Sequence, residues 1–365
     1  MVLTFPHMGN LYIGVKALLE DLGVNFVLPP FANDDTLEVG AAYASEHMCT
    51  PLKLNVGNYI QSIEKGADTI LITGSNGPCR FGYYGVMEQE ILKDMGYNVD
   101  MVILEAPNGD IGELLRRFQK VSHTKNIGKL AKELIKTYHI LCEVDSLERK
   151  MQHLEAIEAE KGTVQKIRKV FKSQSINAKG TRAINELLKE TSLKLDNVKI
   201  NSEKKPLKIG LVGDIYTLIE PYINQNIEEK LANLGAQVDR SLYISEWIIE
   251  HVVCRPIGLT KEKDIRKAAE PYLDHMVGGH AWETIGYASY YCKNGYDGVI
   301  QLLPFGCMPE IVAESILPTI QRDYNVPIMT LVLDELSGDI GYQTRLEAFI
   351  DLIERKKERR GLHEA

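Results

Sequence analysis

Short apolar runs alternate with longer amphipathic segments over the first hundred residues of the chain, and again from residue 207 onward. Runs such as 99–104 and 207–212 are typical of buried strands, and the segments between such runs carry apolar residues at helical spacing. Because strand and helix alternate, we expect crossover connections and parallel sheets. The hydrophobic pattern therefore predicts an α/β protein with two Rossmann-like, doubly wound domains.

One stretch occurs in both halves with the same order of features. Each copy has a helix end, a glycine, a short apolar strand, and a loop with glycine and proline that leads to a cysteine. In the first copy these are Gly66 and Cys79, and in the second they are Gly295 and Cys307. The repeated order predicts that the two domains are related by internal duplication, with each cysteine just beyond the carboxyl end of a strand, where open α/β sheets build their sites.

The remaining elements follow from the same pattern. Residues 24–28 read as a second strand of the first half, and residues 218–234 read as one helix of the second half. Between the halves, residues 110–195 have no strand signal and carry apolar residues at helical spacing among many Lys and Glu residues. We therefore predict an α/β domain over 1–110, a helical insertion over 111–204 and a second α/β domain over 205–365.

Charge, hydropathy and cysteine content argue against several classes of protein. The net charge is −8, so the sequence has no basic footprint for nucleic acid. No apolar run approaches the length of a membrane span, and no charged segment precedes an apolar one at the N-terminus. Six cysteines in a chain without an export signal favour thiols or metal ligands over disulfides, which predicts a cytoplasmic protein.

Three cysteines are candidate metal ligands. Cys79 and Cys307 follow strands, and Cys49 precedes Pro51 at a predicted helix N-terminus, where the helix dipole favours a thiolate. Three thiolates suit an iron–sulfur cluster or zinc, although the spacing is unspecific and a lone cysteine in an apolar chain is usually a core residue. Three other cysteines have no partner in the repeat and are interpreted as structural, namely Cys142, Cys254 and Cys292.

The segments around these cysteines are EHMCTPLK (46–53), GSNGPCRFGYY (74–84), GHAWET (279–284) and FGCMPE (305–310). Together they resemble the 2-hydroxyacyl-CoA dehydratase family, and more narrowly the dehydratase-like regions of CoA-substrate enzyme activase proteins and the double-cubane-cluster proteins. The resemblance covers nearly the whole chain except the helical insertion. It implies a cubane-type cluster on Cys49, Cys79 and Cys307, either [4Fe-4S] or double-cubane [8Fe-9S], with one iron open to a substrate or a bridging ligand.

The resemblance also implies partners. Family members receive a low-potential electron from a separate ATP-dependent activator that has its own iron–sulfur cluster, and they act on a CoA thioester or another small molecule. This chain has no phosphate-loop motif, so we expect ATP to bind the activator and not this chain. A homodimer or heterodimer is expected. Reductive or radical dehydration is the implied activity, and reduction of small molecules by a double-cubane cluster is an alternative.

Polar residues near these motifs are candidates for proton transfer or for support of the ligands. They are Glu46, His47, His280, Glu283 and Glu310. His280 is equally readable as a helix cap, and Glu310 as a first-turn carboxylate that satisfies the helix dipole. Arg80, beside Cys79, is a candidate to neutralise the charge of the cofactor. Two alternatives to a redox protein remain: a structural zinc site of three cysteines and His280, and a metal-free binding module.

Overall fold

The computed structural model describes residues 1–74, 79–105, 111–122, 124–254, 259–260, 262–336 and 338–364. The chain divides into two compact units. Unit 1 contains Met1–Leu147, Lys169–Leu193 and Ile244–Lys261, and unit 2 contains Glu148–Arg168, Lys194–Tyr243 and Glu262–Ala365. Each unit holds one parallel sheet, which confirms the mixed α/β class predicted from the alternating pattern.

The sheet of unit 1 has three parallel strands in the spatial order β1-β2-β3. The strands are β1 (Leu3–Thr4), β2 (Thr69–Thr73) and β3 (Asp100–Leu104). The helices of this part are α1 (Leu11–Leu22), α2 (Asp34–Tyr43), α3 (Thr50–Glu64), a 3₁₀ helix (Arg80–Tyr83), α4 (Tyr84–Asp94) and α5 (Ile111–Ser122). Helices α3 and α4 bury their apolar faces with β2 in one core, to which Val56, Ile70 and Leu92 contribute.

The strand predicted over residues 24–28 does not form. Only Phe26 pairs with β1, through a single parallel bridge to Leu3. The pairing ends there because β1 is two residues long and because Pro29 and Pro30 have no backbone N–H to continue a ladder. The bridge nevertheless places residue 26 on the edge of β1 opposite β2.

Two glycines allow a close contact between α2 and α3. A Cβ atom on Gly57 would lie 1.9 Å from the carbonyl oxygen of Thr36, and one on Gly40 would lie 1.7 Å from that of Lys53. No side chain fits at such distances, so the two helix backbones approach each other at these glycines. The contact fixes α3, whose N-terminus carries the Cys49 motif.

The segment that follows β3 and precedes the second sheet along the chain is helical, as its pattern predicts. It contains α6 (Ile127–Ile157), α7 (Thr163–Asn177) and α8 (Gly180–Asp196). Gly162 and Gly180 adopt positive φ values of 84° and 71° between these helices, which glycine does at little cost. The boundary between the two units falls within α6, after Leu147.

The sheet of unit 2 has four parallel strands in the order β5-β4-β6-β7. They are β4 (Leu207–Gly213), β5 (Ala236–Arg240), β6 (Gly298–Pro304) and β7 (Ile328–Leu333). The remaining helices, in chain order, are α9 (Ile215–Ile219), α10 (Ile227–Asn233), α11 (Ile244–Ile248), a π-helix (Ile249–Cys254), α12 (Lys263–Ala269), α13 (Ala281–Lys293), α14 (Met308–Tyr324) and α15 (Asp339–Glu364). Of these, α11 and the π-helix belong to unit 1.

The prediction of a single helix over residues 218–234 is wrong, because this region forms two short helices, α9 and α10. Pro221 follows α9 and has no backbone N–H, and its ring would clash with the carbonyl group four residues earlier in a continuous helix. Gln225 and Asn226 then adopt left-handed φ values of 53° immediately before α10. These local conformations divide the segment.

The strand order of unit 2 reverses between β4 and β6, and ligands of open α/β sheets generally bind beyond the carboxyl ends of the strands at such a point. β5 and β6 lie on opposite sides of β4, so the chain leaves the ends of β4 and β6 in opposite directions. Gly213, the last residue of β4, pairs with Leu302 of β6. A Cβ on Gly213 would lie 2.3 Å from the Leu302 carbonyl oxygen. Gly213 also has a φ of 144°, so glycine is required where β4 ends.

Among the described residues, no helix combines the length and the apolar character that crossing a membrane would require.

Candidate functional site

Cys49 occupies the position predicted for it at the start of a helix. It is the N-cap residue of α3, in extended backbone conformation, and Pro51 lies in the first turn. The side chain is buried, and its sulfur lies 2.7 Å from the hydroxyl oxygen of Tyr84. Tyr84 is the first residue of α4, so this contact joins the N-terminal ends of two helices.

Cys79 lies at the start of the next helical segment of unit 1. It is the N-cap of the 3₁₀ helix that leads directly into α4, and it is partly exposed. Its neighbour Arg80 donates a hydrogen bond from Nη1 to the backbone carbonyl of His47, at 2.5 Å. Contacts through Arg80 and Tyr84 thus bring the Cys79 segment and the Cys49 segment together. Residues 75–78 of the loop motif lie outside the described residues.

The segment before Cys49 is held by two cationic side chains. Arg80 binds the carbonyl oxygen of His47, and the buried Lys53 donates from Nζ to the carbonyl oxygen of Glu46 at 3.2 Å. The side chains of Glu46 and His47 are themselves exposed. Lys53 belongs to the EHMCTPLK segment but is not one of the candidates named from the sequence, although a lysine in the apolar first turns of a helix is a visible signal.

A buried carboxyl group lies between α3 and α4. Glu88 of α4 is fully buried, and Asn55 of α3 donates to it from Nδ2 at 3.1 Å. Burial raises the pKa of Glu88 to about 8, against the lowering effect of hydrogen bonds from Asn55 and Tyr59. Glu88 is therefore mostly protonated at neutral pH. Nothing in its helical sequence context distinguishes it from a surface glutamate.

Cys307 repeats the local geometry of Cys49 in unit 2. It is the N-cap of α14 in an extended conformation, and Pro309 lies in the first turn. Cys307 follows the carboxyl end of β6. The backbone N–H of Cys307 donates a hydrogen bond to the carbonyl oxygen of Pro304 at 3.0 Å. The predicted position of Cys307, beyond a strand and before a helix, is confirmed.

His280 lies at the N-terminus of α13, as its two preceding glycines predict. Its Nδ1 atom is 3.7 Å from Oδ1 of Asp214 and 3.5 Å from the backbone nitrogen of Ile215. Burial opposes protonation of the ring, but the nearby carboxylate of Asp214 and the charges of Glu283 and Glu310 outweigh it and raise the pKa of His280. Asp214 is not one of the candidates that the sequence suggests, because only the pairing of β4 with β6 brings it near His280.

Glu310 is a buried hydrogen-bonded acid. Its carboxyl oxygens accept from the Thr284 hydroxyl at 3.0 Å and from Nε2 of Gln301 at 2.9 Å. Burial raises the pKa of Glu310 to about 7. Because its side chain is fully buried and bonded to β6 and α13, Glu310 does more than complement the dipole of α14. Glu283 is also buried.

The cysteines outside the motifs have the environments of core residues. Cys292 is buried in the apolar core of unit 2, and this burial raises the pKa of its thiol to about 12. Cys254 is buried and Cys142 is partly buried in α6. A thiol such as Cys292 is a poor nucleophile and metal ligand, because the thiolate is the reactive form.

Within the described parts of the chain, no group of three or more His, Cys, Asp or Glu side chains is placed to hold a metal ion. Unit 1 brings the Cys49 and Cys79 segments together, and unit 2 places Cys307 just beyond the carboxyl end of β6.

A search with models of known protein families finds no match to the chain, and a search of curated proteins finds no relative.

Proposed function

We propose that this chain is an iron–sulfur redox protein of the 2-hydroxyacyl-CoA dehydratase type, with Cys49, Cys79 and Cys307 as ligands. The observation that supports it most directly is that each of these cysteines is the N-cap residue of a helical segment. Amide N–H groups and the positive end of the dipole at such positions favour the thiolate. The thiolate is the form that binds iron.

The donor set fits the cofactor chemically. Cysteine thiolates are the usual ligands of iron–sulfur clusters, and three of them leave one iron of a cubane available to another ligand. When bound, such a cluster supplies a low-potential electron and a Lewis-acidic iron. Lys53 and Arg80 place positive charge beside the Cys49 segment, which offsets the negative charge of the thiolates.

The fold proposal is that both units are Rossmann-like and related by duplication. In unit 2, β5 and β6 lie on opposite sides of β4. In unit 1 the Phe26 bridge and β2 lie on opposite edges of β1 in the same way. In both units a helix then precedes the strand whose carboxyl end leads to a motif cysteine, Cys79 or Cys307. The shared order supports common ancestry of the two sheets.

The remaining parts of the proposal come from the family resemblance. A separate ATP-dependent activator with its own iron–sulfur cluster delivers the electron, and the substrate is a CoA thioester or another small molecule. The protein works in the cytoplasm as a homodimer or heterodimer. The missing phosphate-loop motif supports a separate activator, because no segment of this sequence has the glycines and lysine that cradle phosphates.

Anaerobic purification tests this proposal. The protein should be brown, with a broad visible absorption shoulder, and should contain iron and acid-labile sulfide in similar amounts. About four iron atoms per cluster would indicate a single cubane, and about eight a double cubane. Colourless protein that contains zinc, or that takes up no iron after anaerobic reconstitution with iron and sulfide, would contradict the proposal.

A further inference from the structure

We infer that one arginine in each unit protects the free edge of its sheet against strand pairing with a second copy of this chain. The residues are Arg117 of α5 in unit 1 and Arg345 of α15 in unit 2. Each donates a hydrogen bond to a carbonyl oxygen that the edge strand would otherwise offer to another strand. The inference concerns the assembly of the protein and does not depend on the cofactor of the proposed function.

The two protected strands, β3 and β7, are the last strands of their sheets. Among the described strands, β3 pairs only with β2, and β7 pairs only with β6. An edge strand presents backbone N–H and C=O groups on its other side, and a strand of another chain can pair with them. Ile103 of β3 and Thr330 of β7 are only partly buried, so solvent reaches both edges. Each edge is therefore a potential surface for association.

The hydrogen bonds of β3 show which of its groups face outward. The N–H of Asp100 and the carbonyl oxygen of Leu104 both bond toward β2. Successive residues of a strand direct their backbone groups to opposite sides, so Ile103 directs its carbonyl oxygen away from β2. Arg117 donates to this oxygen from Nη1 at 2.6 Å. The guanidinium therefore occupies the acceptor that an added strand would use.

Two carboxylates hold the Arg117 side chain at this edge. Glu113 accepts from Nε at 3.0 Å, and the Glu105 carboxylate lies 3.6 Å from Nη1. Lys120 and Asp100 add an ion pair of 2.6 Å at the start of β3. An incoming strand would have to displace or desolvate these charges, which costs free energy. The edge of β3 is thus both occupied and charged.

The edge of β7 is covered in the same way by two side chains. Pro327, directly before β7, directs its carbonyl oxygen to β6, so Ile328 and Thr330 direct their backbone groups away from β6. Arg345 donates from Nη2 to the carbonyl oxygen of Thr330 at 2.8 Å. Gln321 of α14 accepts from the N–H of Ile328 through Oε1 at 2.7 Å. One outward donor and one outward acceptor are therefore already bonded.

The arginine occupies a corresponding place in both units. It lies in the helix that follows the edge strand, 14 residues after its carbonyl partner in unit 1 and 15 residues after it in unit 2. The recurrence indicates that the contact belongs to the architecture of each unit and is not an isolated surface bond. Any association between copies of this chain should therefore use surfaces other than these two edges.

Sedimentation velocity over a range of protein concentrations tests the inference. Arg117→Met and Arg345→Met keep most of the side-chain length and remove the donor and the charge. Each should form a new assembly of about twice the mass of the wild-type particle, because two identical edges can pair through a two-fold axis. The double variant should form larger assemblies, since both of its edges are open. Arg117→Lys and Arg345→Lys keep a charged donor and should sediment like the wild type.

Arg182→Met and Arg355→Met are the matched controls, because they make the same change at exposed arginines of α8 and α15. Both should sediment like the wild type. Circular dichroism verifies that each variant is folded, and Arg→Gln at the same position replaces a methionine variant that does not fold. Unchanged sedimentation of the folded double variant, or equal association of the control variants, would overturn the inference.

Discussion

The sulfur of Cys49 lies 2.7 Å from the hydroxyl oxygen of Tyr84, and this contact connects the first turn of α3 to the first turn of α4. Tyr84 follows Cys79 by five positions through a single 3₁₀ turn. Cys49 therefore contacts a residue 35 positions later in the sequence, close to Cys79. Arg80 and His47 make a second connection beside it.

Removal of the Tyr84 hydroxyl should loosen this arrangement. Tyr84→Phe keeps the buried ring and removes the bond to Cys49, so it should lower the free energy of unfolding by about 1 kcal/mol. Chemical denaturation monitored by circular dichroism measures this change. Tyr83→Phe is the control, because Tyr83 is 69% exposed and its variant should unfold like the wild type. Equal losses in the two variants would show that the contact with Cys49 contributes nothing.

The ligand assignment predicts different iron contents for different cysteine variants. Cys79→Ala and Cys307→Ala should each lose most of the bound iron after anaerobic reconstitution, because each removes one of three thiolates. Cys142→Ala should keep the wild-type iron content, since Cys142 lies in α6, outside the motifs. Iron and sulfide analysis with visible spectra measures the difference. The assignment is wrong if all three variants bind the same amount of iron.

Glu88 should make the stability of the protein depend on pH. Its folded-state pKa is about 8, above the ordinary value of 4.5, so the folded protein holds this proton more tightly than the unfolded chain. The contribution of Glu88 to stability is complete below pH 4.5 and is lost as the pH rises through 8. The loss over this range is on the order of 3 to 5 kcal/mol.

Glu88→Gln removes this titration and preserves the shape of the side chain. Thermal unfolding of wild type and variant between pH 5 and pH 9 should therefore show the wild type losing stability faster as the pH increases. Glu90→Gln is the control, because Glu90 lies on the same helix and is largely exposed. Parallel curves for the wild type and Glu88→Gln would mean that the buried carboxyl group is not protonated in the folded state.

Gly57→Ala should strongly destabilise unit 1. The new methyl group would lie 1.9 Å from the carbonyl oxygen of Thr36, so α2 and α3 must separate. Overpacking of this kind costs about 1 to 3 kcal/mol or more. Gly341→Ala, in α15, is the control: no atom lies within 4 Å of its added methyl group, and alanine favours helix, so stability should be unchanged or slightly higher. Denaturant unfolding compares the two, and equal stability of both variants would contradict the close approach of α2 and α3.

Several features of the site could be predicted because they depend on neighbouring residues. Pro51 and Pro309 mark the first turns of α3 and α14, so the N-cap positions of Cys49 and Cys307 are visible in the sequence. The glycines before His280 mark the start of α13 in the same way. Residues 110–195 read as helical because their apolar spacing extends over several turns.

Other features could not be predicted. Residues 24–28 have the composition of a strand, yet the partner β1 is too short to pair with more than Phe26. Glu88 and Lys53 look like surface residues in sequence, and only the packing of α3 shows that they are buried. Asp214 lies near His280 only because β4 and β6 are neighbours in the sheet.

The sequence by itself determined the alternation of strands and helices, the helix N-termini and the positions of the cysteines along them. These properties depend on hydrophobic period, capping and proline placement within a few residues. Only the tertiary structure decided the order of the strands, the burial of Glu88 and Glu310, and the pairing of Asp214 with His280. Those features arise from contacts between residues that are distant along the chain, and such contacts leave no periodic signal in a single sequence.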